Sequence, residues 1–139
     1  MKNIFLIVLI AAIFSSAAVF FQSDSGGDVN TAKTRDVASE MYTQEDIESA
    51  VHTIITEFDR HWSGCTLNEI YYAGDEESKA YIGHAASHRA DEVIVLLSSF
   101  DVDESGGNGS LNPMSTYNNW MWILVRSEGG KWKHVDHGY

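Results

Sequence analysis

A single cysteine, Cys65, occurs in the 139 residues of this chain. An internal disulfide framework is therefore excluded. An intermolecular bridge through Cys65 stays open, but its place near Trp62 and Leu67 reads as that of a small buried hydrophobe. Basic residues are scarce too: nine Lys and Arg face 20 Asp and Glu, for a formal charge of −11. Such a balance repels nucleic acid and anionic lipid surfaces, which leaves cations, basic proteins and neutral ligands as partners. There is no internal repeat. No serine or cysteine sits in a nucleophile signature, and no glycine-rich loop leads a strand into a helix as phosphate binding requires.

The N-terminus carries a targeting pattern. Met1 and Lys2 form a basic start, and Ile4 to Phe21, "IFLIVLIAAIFSSAAVFF", contain no charge. A signal peptide is expected over residues 1–21, with Ser16 and Ala18 as small residues at a cleavage site. Because the apolar run continues to Phe21, the same residues are long enough to remain as an uncleaved membrane anchor. No cysteine follows the run directly, so lipid attachment is not expected. In either case the remainder is expected outside the cytoplasm, secreted or held at the cell membrane, and touching a membrane only through this segment if it is kept. Residues 22–42 are rich in Ser, Gly, Asp and Thr and lack a sustained apolar period. They read as a flexible linker spanning about 25 Å. One folded domain is expected over residues 43–139.

Thr43, with Asp46 three residues on, reads as a helix start. Ile47, Ala50, Val51, Ile54, Ile55, Phe58 and Trp62 then recur at spacings of three and four, which predicts an amphipathic helix. Ser63 and Gly64 break it, and "CTLNEIYYAG" is read as a strand. A second helix is expected from Asp75 to Ala90, its apolar side carried by Tyr81, Ile82, Ala85 and Ala86, with Gly83 weakening it. "EVIVLLSSFDV" and "YNNWMWILVRS" are strands with two apolar faces, and "SEGG" turns the chain into "KWKHVDHGY" to make a hairpin. The expected class is α+β: a curved antiparallel sheet with the N-terminal helices packed on one face. More chain, or the second protomer of a homodimer, is then needed over the other face.

The stretches "HWSGCTLNEIYYAGDEES", "ADEVIVLLSSF" and "GSLNPMSTYNNWMWILVRSEGGKWKHVDHGY", in this order of elements, resemble small exported bacterial domains of the nuclear-transport-factor-2-like superfamily, with its cystatin-like cone. The resemblance covers Thr43 to Tyr139 and attaches no catalytic signature to these stretches. It implies a cone serving as a pocket for small apolar molecules, as an acid/base active site, or as a dimerisation scaffold, and the fold does not choose among them.

Four sets of residues are candidates for chemistry. Asp101, Asp103 and Ser105, followed by Gly106, are spaced as in a calcium loop, but Asn112 stands where the bidentate glutamate belongs. A solvated turn explains the same residues and is the reading adopted. His84 and His88 have zinc spacing on a helix but lack the neighbouring glutamate of a zinc protease, and are read as solvent-facing. Near the C-terminus His134, Asp136 and His137 form a cluster, and on a strand Trp132, His134 and Asp136 would share one face, where a His/Asp pair could move protons unless a bulge changes the pairing. Finally, Tyr71, Tyr72, Trp120, Trp122 and Trp132 are many aromatics for one small domain. Most belong in a core, while Tyr71, Trp120, Trp122 and Trp132 are the pocket candidates. The function expected is an exported, non-catalytic binding or protein-interaction module of the cell envelope, whose partner is a protein or a small apolar ligand. An acid/base enzyme using the cone is the alternative, and a calcium-stabilised structural domain the second; no cofactor is expected, calcium apart.

Overall fold

A computed structural model of the protein describes residues 26–139. The expected signal peptide or anchor, residues 1–21, lies outside the described residues. The first helix, α1 (Gln44–His61), forms where the apolar period predicts it. Thr43 accepts a hydrogen bond from the Asp46 N–H, and the Asp46 carboxylate accepts from the Thr43 N–H, closing a reciprocal cap. Its buried stripe is Ile47, Ala50, Val51, Ile54 and Phe58.

Five strands, β1 (Lys33–Arg35), β2 (Cys65–Tyr72), β3 (Glu92–Val102), β4 (Thr116–Arg126) and β5 (Lys133–Gly138), form one sheet in that spatial order. The sheet from β2 to β5 is an antiparallel meander, as expected; β1 adds a parallel edge, and the whole is open, not closed into a barrel. On one face α1 covers Leu67, Ile70, Ile94, Leu96, Trp122 and Leu124. On the reverse face Val93, Val95, Ile123 and Val125 pack against Ala85. Both apolar faces of the central strands are thus used within the chain.

Two expectations need correction. The second helix does not run from Asp75 to Ala90 but splits into α2 (Asp75–Ala80) and α3 (Gly83–Ser87). The junction is made of three-residue hydrogen bonds, Ile82 N–H to Lys79 and His84 N–H to Tyr81. The Ser78 hydroxyl, buried, accepts from the Val95 N–H at 3.1 Å and pins α2 to β3. The break then lets α3 lay Ala85 on the sheet.

Residues 26–42, read as linker, belong to the fold. Asp28 bridges to Thr66, β1 pairs with β2, and Tyr42 is buried, its hydroxyl donating to the Val93 carbonyl. Composition misled here because β1 is short and polar, and its membership comes from tertiary pairing alone.

Candidate functional site

Aromatic rings from three elements converge at the C-terminal end of α1. Phe58 and Trp62 stack at 5.4 Å, and Trp62 meets Phe100 of β3 at 5.3 Å and Trp122 of β4 at 4.9 Å. Trp62 forms this hub because α1 ends on it, its N–H still bonded to the Phe58 carbonyl. Beside the hub opens a cavity of about 600 Å³, lined by Glu57, His61, Trp62, Leu111, Trp120 and His137 among others. The Trp120 indole N–H is buried and has no acceptor among the described residues.

One wall carries His137 of β5, with His134 in contact behind it. The expected face of Trp132, His134 and Asp136 is not built, because β5 carries a bulge: Ile123 pairs with Asp136 and Leu124 with His134, leaving Val135 as the extra residue. Asp136 is thereby turned to the reverse face, and His137, opposite Trp122, joins His134 instead. His134 Nε2 lies 3.1 Å from the Asp136 carbonyl and 3.2 Å from His137 Nδ1. A carbonyl only accepts, so Nε2 of His134 carries the proton and Nδ1 of His137 is an acceptor. Burial, reinforced by His137, lowers the His134 pKa below its ordinary value.

The opposite wall is the loop after β3. Asp101 accepts from the Thr116 hydroxyl at 2.6 Å, whereas Asp103 accepts from the Ser105 N–H at 2.8 Å and from its hydroxyl. The Ser105 bonds lower the Asp103 pKa. The two carboxylates therefore have separate partners, and no group of three or more His, Cys, Asp or Glu among the described residues is placed to hold a metal ion. From Gly106 to Gly109 four consecutive residues have positive φ, Asn108 among them. That left-handed turn needs its glycines: a Cβ on Gly107 would lie 2.9 Å from the Leu111 side chain and 3.5 Å from Cys65 Sγ. The segment acts as a turn that lays Leu111 along the cavity.

Cys65 lines the cavity floor and is 3% exposed. Burial first, and then the Asp103 carboxylate, push its thiol up to about 11, so it is protonated at neutral pH and a poor nucleophile. Of the aromatic pocket candidates, Trp120 alone lines the cavity. Trp122 is fully buried, its N–H donating to Ser98 Oγ at 2.8 Å. Trp132 lies at the other end of α1, donating to the Asp46 carbonyl, with the Arg126 guanidinium 4.1 Å from its ring. Tyr71 faces the reverse side under Arg35, 3.6 Å away. Tyr72 is core. His84 and His88 stack at 6.4 Å on α3 and its cap, with His88 Nδ1 at 2.8 Å from the His84 carbonyl. Trp62 and His61 were not singled out in the sequence as cavity residues; the signal was their place at the helix end, just before Ser63 and Gly64. Compared with known proteins, the chain matches no family model, no curated protein and no solved structure.

Proposed function

We propose that this is an exported, non-catalytic binding module of the cell envelope whose cavity at the end of α1 takes a small apolar molecule. The observation that carries the reading is the open cavity of about 600 Å³ walled by Trp62, Trp120 and Leu111. That volume lies in the range of ligand pockets, and its lining sets Trp62, Trp120 and Leu111 among Glu57, two histidines and three small polar side chains. A helix laid across an open curved meander also accords with the nuclear-transport-factor-2-like resemblance, which adds the expectation of a cone that holds small molecules. Against catalysis stand the protonated Cys65 and an Asp136 carboxylate turned away from His134. One observation favours an acid/base enzyme as second reading: His134 and His137 touch, and His137 lines the cavity.

The test is a titration with the neutral fluorophore N-phenyl-1-naphthylamine. Micromolar binding is expected, weakened at least tenfold by Ser110→Phe, which fills the exposed mouth, with the melting temperature unchanged. Binding that is indifferent to Ser110→Phe would place the ligand elsewhere. A ligand recovered chemically altered after incubation would transfer the case to the enzyme.

A further inference from the structure

Only four residues, 22–25, separate Phe21, the end of the apolar run, from Gly26, which is already packed on α1. Gly26 and Gly27 leave no room for side chains. A Cβ on Gly26 would strike the Asp59 carbonyl oxygen, and one on Gly27 would lie 2.6 Å from the Phe58 ring. Three hydrogen bonds fix the entry: Gly27 N–H to the Phe58 carbonyl at 3.0 Å, Asp28 N–H to Cys65 at 2.8 Å, and Leu67 N–H to Asp28 at 2.8 Å. The chain therefore enters the fold beside the last turn of α1 and the turn that follows it. The same turns supply Glu57, His61, Trp62 and Cys65 to the cavity. Fully extended, the five Cα steps from Phe21 to Gly26 reach no more than about 18 Å.

We propose that the chain keeps residues 1–21 as a membrane anchor, that the cavity-bearing end of the domain is thereby held at the bilayer surface, and that the cavity takes an uncharged or zwitterionic amphiphile from that surface. The proposal rests on the binding reading above and adds the source and class of the ligand. A flexible linker of some twenty residues would let the domain face any direction; a four-residue tether leaving from the α1 C-terminal end does not. Charge selects the headgroup. Residues 22–139 hold all 20 acidic side chains but eight basic ones, the nine less Lys2, and Glu57 lines the cavity, so an anionic headgroup is repelled. Trp62 and Trp120, each an apolar ring with a polar edge, suit an interface where acyl chain meets water.

The experiment uses the full chain in phosphatidylcholine nanodiscs. Nitroxide labels at Ser110→Cys and Glu45→Cys, both exposed positions, report the two ends of α1. Cys65, buried with a raised pKa, resists labelling. The label at 110 is expected to show at least threefold greater protection from an aqueous relaxant than the label at 45. Lipid with brominated acyl chains should quench tryptophan emission, and Ser110→Phe should lose at least half of that quenching. Replacing half the lipid with phosphatidylglycerol should reduce it at low salt. Carbonate extraction of native membranes reports the anchor separately: release of a shortened chain overturns the proposal while leaving the soluble-ligand reading standing. Retention with equal protection at 110 and 45 overturns the orientation, and quenching that ignores Ser110→Phe overturns occupancy of the cavity.

Discussion

His134 and His137 meet because one extra residue, Val135, shifts the end of β5 by one position. Their contact has a measurable consequence for stability. His134 is held below its ordinary value of 6.5 first by burial and then by the second imidazole, with Glu57 and the Asp136 carbonyl and carboxylate opposing. The folded state therefore binds fewer protons than the unfolded chain in this region. Stability is fully present above about pH 6.5 and declines as the pH falls from there through the lower folded value. The Asp75 carboxylate, bonded by Ser39, Glu40 and Tyr72, is held down at about 2, well below that window. Urea midpoints measured from pH 7.5 to 5.5 are expected to fall in the wild type and to fall less in His134→Gln, which keeps a donor for the Asp136 carbonyl. Equal slopes would mean that His134 titrates normally. At this scale the sequence was partly readable: the cluster of ring nitrogens was visible, but the partner was not, because a strand's alternation gives no sign of where a bulge falls.

Elements whose identity is set by their own residues were the legible ones. The cap of α1 follows from Thr43 and Asp46, and its stripe from a period of three and four. The strands β3 and β4 follow from β-branched and aromatic runs. Elements set by what they dock on were not. β1 has no buried residue, and residues 26–42 join the fold through backbone bonds to β2 and through glycines that admit no side chain. The two readings of this segment predict opposite results for Gly26→Ala. In a flexible linker the change leaves stability unaltered or slightly raised. Packed against the Asp59 carbonyl, the same methyl forces the entry strand away from α1, at a cost of about 1–3 kcal/mol. Urea denaturation of the two proteins is expected to show that loss, together with faster amide exchange at Gly27, Asp28 and Leu67.

For the molecule as a whole, the question the sequence raised was what covers the second face of "NWMWILV". Trp122 and Leu124 point under α1, while Ile123 and Val125 point to the reverse side and are 3% exposed each. Their cover is α3 with Tyr81 and Ala90, so the apolar alternation on both faces is satisfied without a second protomer. What stays half-covered is the row in which Tyr71 pairs with Leu97 and Leu97 with Met121, and there Arg35 shields Tyr71. Such a row is small beside the area a stable dimer buries. The excess of acidic charge opposes self-association further. Residues 22–139 are therefore expected to sediment as a monomer at high micromolar concentration. Two substitutions separate this from a dimer through the reverse face. Met121→Glu should leave both mass and melting temperature nearly unchanged, whereas Ile123→Glu, placing a carboxylate in a filled core, should unfold the protein. If Met121→Glu instead halves the sedimenting mass with the fold intact, the reverse face is an interface, and α3 covers only the part of it that the partner leaves.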